Sequence, residues 1–127
     1  MKLVVQGNPI PLKRARIGYG RVYDSQKGEK QDFLNVCVSS QMITEIQKPF
    51  KAVMKFYCQI PESWSKKKKK EMNGQFKPTR PDTDNYIKFV LDALTPYYKD
   101  DALMVHVIAY KRYSDNPRTE VIIEEIL

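Results

Sequence analysis

The sequence predicts an α/β fold, a single domain over residues 1–127 with a mixed β-sheet and two main helices. Three observations carry that expectation. Apolar residues alternate with polar ones along Lys51–Ile60, as in a strand buried on one face. They recur every three or four residues after Ser25 and again after Asp84, as on the buried stripe of a helix. Two further strand-like runs close the chain, and neither an internal repeat nor a domain linker interrupts it.

Lys2–Gly7 alternates weakly and is predicted as a first strand, with Arg21–Tyr23 as a short second one. Between them PIPLKRARIGYG reads as a loop, whose Lys13, Arg14 and Arg16 suit contact with a phosphate backbone. A helix is expected over Ser25–Ile46, with Phe33, Val36, Cys37, Ser40 and Ile43 on one face, Ser25 as its cap and Pro49 beyond its end. In the Lys51–Ile60 strand, Ala52, Met54, Phe56 and Cys58 share a face. Ser65 can cap a short helix through Glu71. That helix carries Lys66, Lys67, Lys68, Lys69 and Lys70, with Lys77 and Arg80 following, and such a run suits a solvated surface as well as a phosphate-binding one. Trp64 and Tyr19 fit packing beneath a loop, or stacking on exposed bases. A second main helix is expected from Asp84 to about Leu94: Pro81 presets its entry, Asp82 or Asp84 caps it, and Thr95-Pro96 ends it. Leu103–Tyr113 and Thr119–Ile126 are predicted as a hairpin turning through Ser114-Asp115-Asn116-Pro117.

Twenty-two basic and fifteen acidic residues give a net charge of +7, and the pI is near 9.4. A polyanionic partner follows: nucleic acid first, an anionic membrane surface second. No apolar stretch approaches membrane-spanning length, and the start MKLVVQGNPIP lacks a signal-peptide pattern, so a cytoplasmic protein without membrane attachment is expected. Cys37 and Cys58 stand in apolar contexts without metal-ligand spacing, as reduced core thiols do, and zinc is not expected. His106, the one histidine, falls in a predicted strand, which argues against histidine-based nuclease chemistry.

The chemistry concentrates in PDTDNYIKFVLDAL and the KDD after it. Asp82 and Asp84 stand at the positive end of a helix dipole, which favours their ionised form. Asp84, Lys88 and Asp92 follow at intervals of four and share a face. Asp100 and Asp101 precede the apolar run Ala102–Tyr110; if that strand starts beside the helix mouth, its first residue can face the Asp82/Asp84 pair. Hard oxygen ligands of this kind suit Mg²⁺, with Mn²⁺ as a possible substitute, and Lys88 can meet charge building on a phosphate under attack. An EF-hand is excluded, since Tyr86 and Ile87 occupy the places of its next oxygen ligand and its glycine. An isolated Asp-x-Asp before an apolar helix is most often a plain cap, and it is Lys88 on the same face and the later Asp-Asp pair that strengthen the metal reading.

The string PDTDNYIKFVLDAL, the following DD, the upstream PESWSKKKKKEM and the opening QGNPIPLKRARIG together resemble the RusA family of Holliday junction resolvases, small Mg²⁺-dependent endodeoxyribonucleases common in phages and prophages. The resemblance implies that Asp82, Asp84 and Asp101 hold the metal and that Lys88 is needed for cleavage, with Asp92 and Asp100 as secondary acids. TPYYK is shorter than the matching stretch in some members, and Thr79-Arg80 replaces aromatic residues found in others, so no stacking role is carried across there. The implied activity is Mg²⁺-dependent, symmetric hydrolysis of four-way DNA junctions in recombination and repair. A junction of approximate twofold symmetry nicked on two strands implies a homodimer with one site per chain. The alternatives are a non-catalytic phage DNA- or RNA-binding protein, and a nuclease acting on other branched DNA.

Overall fold

The computed structural model describes residues 1–13, 16–18 and 20–126, and of Arg16, Ile17, Arg21 and Val22 the backbone alone. In chain order the elements are β1 (Lys2–Gln6), β2 (Arg16–Gly18), β3 (Arg21–Tyr23), α1 (Lys27–Ser40), β4 (Phe50–Gln59), α2 (Lys66–Met72), α3 (Thr83–Ala93), β5 (Met104–Ser114) and β6 (Arg118–Glu125). Short 3-10 turns at Thr95–Tyr97 and Asp101–Leu103 join α3 to β5. The α/β class and the mixed sheet agree with expectation.

The sheet has the order β1-β6-β4-β5, with β4 parallel to β5 and antiparallel to β6. The expected β5–β6 hairpin is therefore corrected: β4 lies between the two strands, and the 115–117 turn passes over its end. The reason is burial. Phe50, Ala52, Met54, Phe56 and Cys58 alternate along β4 and are all but inaccessible, so this strand takes the centre, where both its edges are paired. The helices cover the face carrying that stripe. Phe33 of α1 meets Phe89 of α3 edge to face at 5.7 Å, and Phe56 stacks on Tyr86 at 5.1 Å. Each such fully buried side chain stabilises the fold by roughly 1.5–3 kcal/mol.

Three smaller corrections follow from local hydrogen bonding. Residues 16–18, expected as loop, pair with β3 as a small hairpin. α1 begins after Gln26 rather than at a Ser25 cap; the buried Gln26 side chain instead accepts from Lys13 N–H (2.7 Å) and donates to Pro11 O (2.9 Å), tying the N-terminal loop to the helix. α1 also stops at Ser40 rather than Ile46. Ser39 Oγ donates to Val36 O (2.7 Å) and Ser40 Oγ to Cys37 O (3.1 Å), and the chain then extends so that buried Ile46 bridges to Tyr98.

Candidate active site

Residues 74–81 run as a strap along β5 before turning into α3. Gly74 N–H donates to Tyr113 O (2.8 Å), Tyr113 N–H to Gln75 O (2.9 Å) and Lys77 N–H to Lys111 O (3.0 Å). Gly74 has φ +84°, a left-handed conformation that favours glycine at the start of the strap. The Arg112 guanidinium lies 4.0 Å from the Phe76 ring centroid and 4.9 Å from that of Tyr110, and its Nη1 donates to Gly74 O (2.8 Å). Two lysines then fix the last turn. Lys77 Nζ donates to Thr79 Oγ1 (2.7 Å) and Arg80 O (2.8 Å), while Lys111 Nζ donates to Thr79 O and Pro81 O, both at 2.6 Å.

Asp82 follows immediately as the N-cap residue of α3, but its carboxylate makes no capping hydrogen bond, contrary to expectation. The helix begins at the surface, where solvent can satisfy its first N–H groups. The carboxylate is thereby left uncommitted. Two residues on, Asp84 Oδ2 lies 3.7 Å from Lys88 Nζ, with both side chains more than half exposed. An exposed pair of this kind contributes at most about 1 kcal/mol, so both groups are free to engage a ligand.

Asp101 is elsewhere. Asp100 caps the 3-10 turn, its Oδ1 accepting from Ala102 N–H at 2.9 Å, and Asp101 opens that turn just ahead of β5. Met104, at the start of β5, pairs with Phe50, whereas Lys111, seven residues along, pins Pro81. Seven residues of strand span roughly 23 Å, so Asp101 and the α3 mouth lie on the order of 20 Å apart. The expectation that the strand's first residue faces Asp82 and Asp84 is thus corrected. Because β5 runs parallel to β4, the chain must return along the length of α3 before β5 can start. Consistently, the described residues contain no group of three or more His, Cys, Asp or Glu side chains able to hold a metal ion. Beside Asp101, burial pushes the pKa of the Tyr98 hydroxyl up, and the negative charges of Asp101 and Asp92 add to the shift.

Asp92 has another partner. Lys30 Nζ of α1 bridges Asp24 (2.7 Å) and Asp92 (3.4 Å), clamping the two helices. The hydrogen bond from Lys30, aided by one from Gln26 N–H, holds the Asp24 carboxyl below its usual pKa. Eight residues of helix put Asp92 about 12 Å along the axis from Asp84.

Among the basic candidates, Lys66, Lys67, Lys68 and Lys70 are exposed on α2 and Lys69 is half-buried, with Ser65 Oγ capping the helix by accepting from Lys68 N–H at 3.2 Å. Lys13 and Arg80 are exposed. Lys77 is half-buried, and its amine is spent on the turn rather than left for phosphate. Arg14, Tyr19 and the side chain of Arg16 lie outside the described residues. Trp64 packs edge-on against Tyr113 at 5.2 Å with Lys68 Nζ 4.1 Å over its ring, the packed arrangement rather than a free stacking surface. Lys111 is a positioning residue that motif reasoning missed. Its signal was a lysine on the helix-facing side of β5, in line with Val107, Ala109 and Tyr113.

The donor chemistry at the α3 mouth fits a hard divalent cation, since its carboxylates are solvent-open and lack strong protein partners, but one chain brings only part of the expected acidic set there. The family model described as Endodeoxyribonuclease RusA matches residues 6–124. The chain is also 39% identical, over 137 aligned positions covering 99% of it and 96% of its relative, to the Bacillus subtilis (strain 168) protein named "Uncharacterized protein YqaN". With the motif on a pinned helix mouth and a match across nearly its whole length, the chain belongs to the RusA endodeoxyribonuclease family.

Proposed function

We propose that this chain, as one catalytic domain over residues 1–127, is a structure-selective endodeoxyribonuclease. It resolves four-way DNA junctions by Mg²⁺-dependent hydrolysis in recombination and repair, and it works as a homodimer. The observation that carries this reading is the uncommitted Asp82 carboxylate beside Asp84 and Lys88, on a turn held by two lysines, in a chain of this family.

Asp82 and Asp84 would hold the ion at the helix mouth. Asp101, the length of α3 away in its own chain, would join them from the second copy of a twofold dimer and complete a set that the described residues of one chain do not gather. A divalent cation held there would supply positive charge to polarise a phosphodiester and lower the pKa of an attacking water, and Mg²⁺ and Mn²⁺ both suit the oxygen donors. Lys88, one turn into α3, stabilises negative charge developing on the phosphate. Lys77 and Lys111 keep the acids in place, and the exposed α2 lysines, with Lys13 and Arg80, hold the DNA backbone without reading sequence. Cleavage is direct hydrolysis by a water, without a covalent enzyme intermediate.

The test is incubation of the purified protein with synthetic four-way junctions, forks and linear duplexes, in Mg²⁺, Mn²⁺ or EDTA. Paired symmetric nicks in junctions alone, abolished by EDTA, are expected. Equal cutting of every substrate would reduce the reading to a general nuclease. Tight binding without cutting would identify a non-catalytic nucleic-acid-binding protein.

A further inference from the structure

The sheet face without helices carries a ladder of planar side chains at its strap end. The registers of β1, β6, β4, β5 and the strap set Gln6, Arg118, Tyr57, Arg112 and Phe76 side by side in one row. Guanidinium and ring alternate along it: Arg118 lies 3.8 Å from the Tyr57 ring centroid and Arg112 4.0 Å from that of Phe76. Neighbouring strands are about 4.8 Å apart, so the four planar groups span roughly 14 Å. Tyr110, two residues before Arg112, widens the row, its hydroxyl 3.1 Å from that of Tyr57. Phe33, Tyr86 and Trp64, which bring in α1, α3 and α2, all pack on the opposite face, where β4 is buried. Arg118, Tyr57 and Arg112 are therefore only half-buried, and Phe76 is 61% exposed.

Charge selects the occupant. In the three rows nearest the strap, Lys2, Lys55, Arg112 and Arg118 share this face with the single carboxylate of Glu120. Lys2 (3.3 Å) and Arg118 (2.8 Å) engage that carboxylate, whereas Lys55 and Arg112 make no ion pair among the described residues. A second copy of the chain would meet like charge here. A DNA duplex hides its ring faces inside its own stack and would use the cations alone, while an unpaired strand offers phosphates and bare bases together.

We propose that this row is a binding site for an unpaired stretch of DNA, whose bases stack on Phe76 and on the guanidinium planes of Arg112 and Arg118 while Lys55 meets the phosphates. Open four-stranded sheets with exposed aromatics stack about two or three bases, which suits the span of the row. The site is separate from the helix mouth, because Lys77 and Lys111 hold the turn ahead of Asp82 on the other face of the sheet. The two communicate around the strap, whose residues 76–82 cover at most about 20 Å. Bases unpaired at an opened branch point, or on a single-stranded arm, are thereby held near the acids. The inference needs neither a metal nor cleavage, so it stands independently of the nuclease reading.

Binding measured in EDTA tests it. Fluorescence anisotropy is expected to show the parent protein binding a labelled oligothymidylate of about 12 nucleotides as well as a duplex of that length. Phe76→Leu keeps an apolar side chain on the strap, and Arg118→Lys keeps the charge. Each is expected to weaken oligothymidylate binding about 10-fold and duplex binding less than about twofold, with the parental circular dichroism spectrum. Irradiating the parent with an oligonucleotide that carries 5-iodouracil in place of thymine is expected to cross-link it at Phe76. A parent that does not bind oligothymidylate, folded Phe76→Leu and Arg118→Lys proteins that bind it as tightly as the parent, or cross-links confined to α2 and the helix mouth would overturn the proposal.

Discussion

Lys111→Met removes the amine that organises the turn ahead of Asp82 while keeping the aliphatic stem that packs along β5. Lys111 Nζ donates to two carbonyls, Thr79 O and Pro81 O, each at 2.6 Å. A hydrogen bond from a charged donor contributes about 1.5–3 kcal/mol where water is excluded. Here Thr79 is exposed and Pro81 half-buried, so hydration of the freed carbonyls offsets part of the loss and about 1–2 kcal/mol is expected. For a domain of this size that lowers Tm by about 4–8 °C. The effect on cleavage is larger, because an ångström of misplacement in a reacting constellation can cost about 100-fold. Junction nicking in Mg²⁺ is expected to fall at least about 10-fold, with junction affinity in a gel-shift assay unchanged. A Lys111→Met protein that melts and nicks like the parent would refute the claim that this lysine positions the acids.

Asp92→Asn is expected to nick junctions within about twofold of the parent, as judged by initial rates, because Asp92 serves the Lys30 clamp rather than the helix mouth. Lys30→Met is expected to cost less than about 1 kcal/mol at pH 7, since its partners are substantially solvent-exposed. The folded pKa of Asp24 is depressed, so the Asp24–Lys30 contribution is present above the unfolded carboxylate range and is lost as pH falls through the folded value; urea melts of the two proteins converge in acid. Burial pushes the pKa of the Cys37 thiol up to about 11 and raises that of Cys58, so neither is expected to react with a thiol reagent at pH 8 until the protein is unfolded. Replacing Lys66, Lys67, Lys68 and Lys70 with glutamine is expected to flatten the dependence of log affinity on log salt by about 3–4, and an unchanged slope would mean those side chains do not touch phosphate.

Local elements were legible wherever a single stretch decides its own structure. The β4 alternation, the Ser65 cap and the Asp84–Leu94 helix all stand close to where composition and spacing put them. Strand order was not legible, because the placement of β4 between β5 and β6 depends on which strand buries most, and either arrangement satisfies the turn chemistry of Ser114–Pro117. The end of α1 was hidden because Ser39 and Ser40 bond back to the helix carbonyls while the apolar periodicity continues through Ile43. The acids of the candidate site were legible by type, but not the distance between them. Seventeen positions separate Asp84 from Asp101, and nothing in that spacing tells that the parallel sense of β5 sends Asp101 to the far end of α3.

That separation makes one mixing experiment decisive. Asp82→Asn and Asp101→Asn proteins are each expected to bind junctions but not nick them in Mg²⁺. If each site takes Asp82 from one copy and Asp101 from the other, a mixed dimer contains one intact site, and an equimolar mixture regains about a quarter of the parental sites. Recovery of nicking near that level is the predicted result. No recovery from a mixture shown to have exchanged subunits, or undiminished nicking by the Asp82→Asn protein on its own, would contradict the account.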